Sequence, residues 1–440
     1  MVRSAKAAIG AAAGLNLWGT SQSWAGANDR VRVAVVGING HGFASHIRNY
    51  PFLPNVEVAA LCDIDENLFP ERLRWFEENG RPSPKTYVDI RRLLEDKDID
   101  AISVATPNHW HALAGVWACQ AGKHAHIEKP CSHNVFEGQQ LIAAAKKYNR
   151  IVHHGTESRN SKAYQKAMEF IRQGGLGEVY MAKGTCYKWR DTIRHTPEEP
   201  VPNGVHYDLW LGPAPKRPFS RNRFHYNWHW NWDYGNGDIG NQGVHEMDIA
   251  RWGLGVTFPT KVMSMGAHVM FDDDQQTPNV QMAVFEFQDS SGGGRKKILQ
   301  FEVRHWITNY EGDFGKPPDN NIGNIFYGSK GYMVVADRRW QTFMGKNREP
   351  GPGGQENGNP DREHYQNFVD AIRANDPSIL CGSVEEGHAS CALIHLANTS
   401  YRLGRSLDFD PKIQRFLHDS EANRMLSREY RAPFVVPKDV

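Results

Sequence analysis

From residue 31 the apolar positions come in short blocks set at regular intervals. Val31–Val36 is an apolar, mostly β-branched run broken only by Arg32, the pattern of a strand covered on both faces. It stops at Gly37-Ile38-Asn39-Gly40-His41-Gly42, and a helical stretch is predicted over 43–50. A second strand, Val56–Cys62, ends at Asp63. Residues 100–106 read as a strand stopped by Pro107, and an apolar helix follows from Asn108 to about Ala121. His124–Lys129 is another strand, stopped by Pro130. A helix over 135–148 and a strand over 151–155 complete the series. Repeated strand–helix units predict a doubly wound parallel sheet. Ligands of such sheets sit beyond the carboxyl ends of the strands. Thr106–His111 and Glu128–Pro130 fall at such ends, so they are predicted to face one crevice.

The pattern changes after residue 155. Strands are predicted over 180–187, 261–271, 281–287, 297–304 and 332–335. Ser290–Arg295, with Gly292, Gly293 and Gly294, reads as a hairpin. Lys346–Arg362 is rich in Gly, Pro and Asn and reads as a surface loop. This divides the chain into a leading segment 1–29, a dinucleotide-binding domain 30–155 and a second α+β domain 156–440. The last part, about 411–440, is an extension.

Charge and composition narrow the function. Among 440 residues, 51 Lys and Arg face 50 Asp and Glu. That balance excludes a protein that binds nucleic acid by broad phosphate neutralisation. The content of 13 Trp, 15 Tyr and 20 His suits a polyhydroxylated ligand. The six cysteines form no C-x-x-C pair and no Cys/His spacing matches a zinc motif, so they read as structural thiols and no metal site is expected. Arg3 and Lys6 precede a small-residue run, Ala7–Trp18. Ser23-Trp24-Ala25 or Ala25-Gly26-Ala27 offers a cleavage site. This is the layout of a secretory signal and predicts export to the periplasm of a bacterium. If the segment is only a disordered tail, the location is cytoplasmic. No stretch has the roughly 20 apolar residues that cross a bilayer, so no membrane partner is expected.

The turn at 37–42 fits the dinucleotide fingerprint G-x-G-x-x-G with one departure. Asn39 stands at the middle glycine and Gly40 beside it. Glycines here let backbone N–H groups approach a pyrophosphate. Asp63, about 20 residues on, is placed to accept hydrogen bonds from ribose hydroxyls and to repel a 2′-phosphate, which favours NAD over NADP. The predicted cofactor contacts are Gly37, Asn39, Gly40, His41, Gly42, Asp63, Thr106, Asn108, His109, His111, Glu128 and Lys129.

The glycine turn, Asp63, the segment Ala105–His111 and above all Glu128-Lys129-Pro130 resemble the Gfo/Idh/MocA oxidoreductases. Gly174–Val179, Asp208–Pro215, Asp238–Asp248 and His364–Ala371 resemble that family's later motifs. The resemblance covers most of residues 30–410. It implies a Rossmann domain followed by an open, mostly antiparallel sheet, and a second subunit over the open sheet face, hence a homo-oligomer.

Hydride transfer from a carbinol needs a base and a group that stabilises the developing alkoxide. Lys129, at a strand end, is the candidate for the second. The family's Lys-Pro bond is often cis. His245, at the start of a helix with Asp248 in reach of the same face, is the candidate base. The family usually carries Asp four residues before this histidine. Here that residue is Asn241, which can bind a sugar hydroxyl but cannot act as a base. Residues 224–234 alternate aromatic with polar residues, which reads either as a half-buried strand or as a wall that stacks on sugar faces, with Trp228 and Trp230 the candidate contacts. Tyr187, Lys188 and Arg190 are the candidates for the opposite wall.

Three functions compete. The first is an NAD-dependent oxidoreductase acting on a sugar, sugar alcohol or glycoside. The second is an NAD-dependent glycosidase that oxidises a ring carbon transiently and eliminates the aglycone. The third is a silent sugar-binding or sensor protein.

Overall fold

The computed structural model describes residues 30–288, 295–306, 320–358 and 360–440. The predicted secretory segment and the glycines of the 290–295 hairpin lie outside these residues.

The first half forms six parallel strands: β1 (Val31–Val36), β2 (Val56–Cys62), β3 (Lys85–Tyr87), β4 (Ala101–Val104), β5 (His124–Glu128) and β6 (Val152–Gly155). Their spatial order is β3-β2-β1-β4-β5-β6, the doubly wound arrangement, with its switch point between β1 and β4. The side chains of β1 show why this sheet needs cover on both sides. Val33 and Val35 pack in one cluster with Phe76, Tyr365 and Phe368. Ala34 and Val36 pack in another with Leu113 and Leu141. Fully burying a valine contributes about 1.5–3 kcal/mol. Tyr365 and Phe368 belong to the late helix Pro360–Ala374, so the chain returns to cover the first sheet.

The second half forms a ten-stranded sheet from β7 (Val179–Lys188), β8 (Lys261–Ala267), β9 (Val280–Gln288), β10 (Lys296–His305), β11 (Asn321–Gly328), β12 (Gly331–Ala336), β13 (Arg339–Met344), β14 (Glu349–Gln355), β15 (Leu407–Asp410) and β16 (Arg415–Phe416). The order is β14-β13-β12-β11-β7-β10-β9-β8-β15-β16. β7 and β10 run parallel; the other neighbours pair antiparallel. The helices Gly243–Leu254 and Val384–Leu403 cover one face. The fold class expected from sequence is therefore the one observed.

The helix predicted over 43–50 forms, and it is wound as a π-helix over Gly42–Ile47 with α-helical residues on either side. A 3-10 turn, Tyr50–Phe52, follows; Pro51 lies inside it and has no N–H to continue a helix. Two local expectations change. The Gly/Pro-rich segment expected as a loop contains β14, with Pro350 and Pro352 inside it. β14 pairs only with β13 at the sheet edge, where a missing amide donor is tolerated. Finally, 224–234 is no strand. It runs through the 3-10 turn Asn227–Trp230, so its alternation reflects turns packed on a core.

Candidate active site

A cavity of about 580 Å³ opens at the carboxyl ends of β1, β4 and β5. The switch in strand order leaves a gap there, because the connections from β1 and β4 leave on opposite sides. The aromatic segment 224–229 forms the far side of the cavity.

The glycine turn makes one wall. Gly37 has φ +84°, and a Cβ on it would stand 2.7 Å from the Ala105 carbonyl oxygen. Only glycine lets β1 end this close to β4. Gly42 packs back on the turn and does not line the cavity; a Cβ there would meet Gly37 O at 1.9 Å. Gly40 (φ +47°) has open space where a side chain would be. Asp63 ties the turn to β2: its carboxylate accepts from Ile38 N at 2.8 Å and Asp65 N at 3.0 Å. Burial pushes this carboxyl up to about 6, against the two N–H donors that favour its charged form. Across the turn, Asn39 Nδ2 meets His225 Nδ1 at 3.0 Å, and His225 Nε2 lies 3.1 Å from Asp65. The aromatic segment is thus pinned to the nucleotide-type wall.

The end of β5 supplies the charged floor. Glu128 Oε1 stands 3.2 Å from both His41 Nε2 and His46 Nε2, and Glu128 Oε2 accepts from Lys129 N at 3.1 Å. Burial works against the charged carboxylate, yet the imidazoles around it prevail and hold it well below the usual range. His41 is raised by the same carboxylate, whereas burial drives His46 down to about 4. The Lys129–Pro130 bond is cis. Lys129 Nζ donates to Asn241 O at 2.6 Å and stands 3.4 Å from Asn241 Oδ1. Burial lowers its pKa. His111 braces the floor, with one ring nitrogen 2.7 Å from Pro130 O and the other 2.7 Å from Thr106 O.

His245 enters the same cavity from the start of the helix Gly243–Leu254. Burial, reinforced by Lys129, drives its pKa down to about 3, so the ring is neutral. Among the described residues its Nδ1 has no hydrogen bond, and it lies 3.8 Å from Glu157 Oε1. Glu157 also lines the cavity, and burial raises its carboxyl. Sequence reading missed Glu157. Its only signal was its place just past the end of β6, a strand end like those of Thr106 and Glu128.

The structure therefore brings Gly37, Asn39, Gly40, His41 and Asp63 into one cavity with Thr106, Asn108, His111 and Glu128, and with Lys129, Trp228, Asn241 and His245. Other expected contacts lie elsewhere. His109 turns away, with Nε2 2.9 Å from Trp210 O, because its neighbours on the helix Asn108–Gln120 take the cavity side. Tyr187 is fully buried, and its hydroxyl donates to Glu302 at 2.7 Å; strand alternation sends it away from Cys186 and Lys188. Lys188 Nζ donates to Gln242. Arg190 pairs with Asp238 at 2.9 Å and lies over the ring of buried Trp230, so neither lines the cavity. Asp248 does not meet His245; it takes Arg159 at 2.7 Å and Ser390 at 2.6 Å.

The Rossmann profile of the oxidoreductase family, described as NAD-binding, matches residues 31–156, and the family's C-terminal α/β domain matches 161–311 and 355–436. The chain belongs to the Gfo/Idh/MocA oxidoreductase family. Curated relatives align over part of the chain. A glycosyl hydrolase family 109 protein of Shewanella pealeana is 28% identical over 155 residues, 34% of this chain and 34% of that protein. One from Shewanella putrefaciens is 29% identical over 155 residues, with the same shares. The alignment thus spans about a third of the length of these relatives. Solved structures share the fold over most of the chain. Aldose-aldose oxidoreductase from Caulobacter crescentus, complexed with glycerol, has a TM-score of 0.65 at 19% identity, over 86% of this chain and 100% of that one. Levoglucosan dehydrogenase in complex with NADH has 0.64 at 18%, over 86% and 99%.

The cavity of this Gfo/Idh/MocA member fits the family's NAD. Thr106 Oγ1 and Asn108 Nδ2 are buried and lack a partner among the described residues, which is costly unless a ligand supplies one. The open space at Gly40 admits a close approach to backbone N–H groups. Gly37, Asn39, Gly40, Asp63, Thr106 and Asn108 would hold the nucleotide, which supplies hydride acceptance and return.

Proposed function

We propose that the protein is an NAD-dependent oxidoreductase acting on a hydroxyl-bearing carbon of a sugar, sugar alcohol or glycoside. The observation that carries this reading is the presence of Lys129 and His245 in one cavity with the glycine turn and Asp63. Lys129 holds the substrate oxygen and stabilises its negative charge as the carbon is oxidised. Neutral His245 takes the hydroxyl proton. Asn241 and Trp228 bind the sugar, the amide through a hydroxyl and the ring through a C–H face. The neighbours complexed with glycerol and with levoglucosan support a polyol class of substrate.

The second reading is an NAD-dependent glycosidase, favoured by the family 109 relatives. There the ring carbon is oxidised, a proton leaves the adjacent carbon, the aglycone is eliminated as its alcohol, water adds to the unsaturated ketone that remains, and hydride returns to the carbonyl carbon. A panel of sugars and nitrophenyl glycosides, with and without NAD, separates these. Accumulating NADH supports the first reading. Nitrophenol release without net NADH supports the second. Ligand binding with neither signal overturns both and favours a silent sensor.

The reading extends to a homo-oligomer and to export. On β8 and β9 the cross-strand pairs Met263–Val284 and Met265–Met282 expose apolar side chains that no described residue covers, a surface of the kind that marks association. Light scattering tests this; a monomer at micromolar concentration would contradict it. Export rests on the composition of residues 1–29, and N-terminal sequencing of protein from its native cell tests it. Among the described residues no helix is long and apolar enough to cross a membrane.

A further inference from the structure

Behind the Lys129–Pro130 turn, outside the cavity, three buried soft ligands converge. Cys131 follows the turn directly. His154 lies on β6, and Cys391 lies in the helix Val384–Leu403. Their exposures are 1%, 1% and 0%. Cys131 Sγ lies 3.8 Å from Cys391 Sγ, and Cys391 Sγ lies 3.7 Å from His154 Nε2. All three donor atoms fall within 4.8 Å of one another.

We propose that Cys131, His154 and Cys391 bind a tetrahedral zinc-class cation that fastens the catalytic-lysine turn to the second domain.

Two of the three spacings fit a tetrahedral site. With Zn–S about 2.3 Å, a sulfur–sulfur separation of 3.8 Å subtends about 111° at the metal. With Zn–N about 2.05 Å, the 3.7 Å sulfur–nitrogen separation subtends about 116°. Both are close to tetrahedral. A linear two-thiolate copper(I) site would hold its sulfurs further apart. A covalent disulfide would need them at about 2.05 Å.

The surroundings aim these groups. Gly387 has the imidazole of His154 where its own Cβ would be, 2.5 Å from Cγ. The missing side chain lets the ring lie flat on the helix. Cys391 is one turn further along the same face. His154 N donates to Gly382 O at 2.9 Å, which holds β6 against the start of that helix. Two thiolates and a divalent cation sum to zero charge, which is the form in which such a set tolerates a dry interior. Among the described residues no further His, Cys, Asp or Glu joins the three, so a water completes the shell.

No spacing motif announces this set, because its members are 23 and 237 residues apart and come from three elements. Cobalt(II) is the probe. The full-length protein is reduced, dialysed against chelator, and titrated with cobalt alone, then with zinc in competition. The proposal expects one equivalent per chain, thiolate-to-cobalt charge-transfer absorption, and d–d bands of tetrahedral intensity, all displaced by zinc. Cys131→Ala and Cys391→Ala should each remove the charge-transfer band and weaken zinc binding by more than the about 10–100-fold that loss of an outer hydrogen-bond partner costs. Retained NAD binding shows that these variants are folded. Cobalt bound without charge-transfer bands, or bound equally by both variants, overturns the proposal in favour of adventitious surface imidazoles. A Cys131–Cys391 disulfide in the protein as purified, read by non-reducing peptide mapping, overturns it as well. None of these outcomes depends on turnover, so the site can fail while the proposed activity stands.

Discussion

Lys129 Nζ donates to the main-chain oxygen of Asn241 at 2.6 Å, so the amine at the end of β5 is fixed by the segment that leads into His245. This contact joins the two halves of the proposed reaction centre. It also leaves the ammonium with a donor to spare, because it carries three N–H bonds and Asn241 takes two, one at its main-chain oxygen and a longer one at Oδ1. Lys129→Met keeps the length of the side chain and removes those donors. Turnover should fall by about 10²–10³-fold, the cost of losing one preorganised donor to a developing oxyanion. NAD affinity, measured by fluorescence quenching, should change little. An unaltered kcat would remove Lys129 from the mechanism.

Asp63 gives a pH dependence of cofactor binding. Its carboxyl is raised to about 6 by burial. The charged form accepts from ribose hydroxyls, so NAD binding favours deprotonation. Affinity should therefore be constant above about pH 7 and weaken as pH falls through 6. Calorimetric titration between pH 5 and 8, on the order of one point per half unit, reads this. Asp63→Ala should abolish the inflection and narrow the preference for NAD over NADP. A wild-type affinity that is flat across that range would contradict the assignment.

Much of this site was legible in the sequence, and the failures have physical causes. Strand ends carry ligands in a doubly wound sheet, so Asp63, Thr106, Glu128 and Lys129 could be placed from apolar runs and their stops alone. Side-chain direction could not. His109 and His111 sit two apart on one helix, and only His111 faces the crevice, because helical neighbours at that spacing diverge. Tyr187 and Lys188 alternate across a strand whose two faces are both polar in places, so the pattern did not say which face was inside. Asp248 was assigned to His245 by spacing alone, while the real partner, Arg159, lies 89 residues away. Glu157 belongs to no motif; tertiary packing alone brings it to 3.8 Å from His245.

That pair carries the next prediction. His245 is driven down to about 3 by burial and by Lys129. A lowered histidine pKa means the base is already neutral across the working range, so kcat/KM should show no limb near pH 6.5 from this ring. His245→Ala should cost about 10²–10⁴-fold, the usual contribution of a positioned base. Glu157→Gln keeps the shape but removes a negative charge near the imidazolium that forms during reaction. It should lower kcat with less effect on KM. If Glu157→Gln acts only on KM, the carboxylate binds substrate and does not support the base.

The last prediction concerns stability and separates Asp248 from the chemistry. Arg159 meets Asp248 through two bonds, 2.7 and 2.9 Å, and Ser390 adds a third at 2.6 Å. The group is buried, which penalises its charge, yet Arg159 holds the carboxyl down at about 2. A depressed folded-state pKa gives stability that is present above the unfolded value of 3.8 and is lost as pH falls toward 2. Removing one partner weakens a largely buried network of four charges, because Arg159 keeps Glu386 at 3.0 Å and Asp248 keeps Arg251 at 3.7 Å. Asp248→Ala should therefore cost less than the about 3–5 kcal/mol of a pair broken outright, read as a lower urea midpoint at pH 7. Arg159→Met alone should cost a similar amount. The double variant Arg159→Met/Asp248→Leu should recover part of the loss, because Arg251 and Glu386 then pair with each other. Equal and additive losses would mean that the two residues do not act as a pair. At low denaturant, activity per folded molecule should be retained in the double variant, since neither side chain lines the cavity that holds Lys129 and His245.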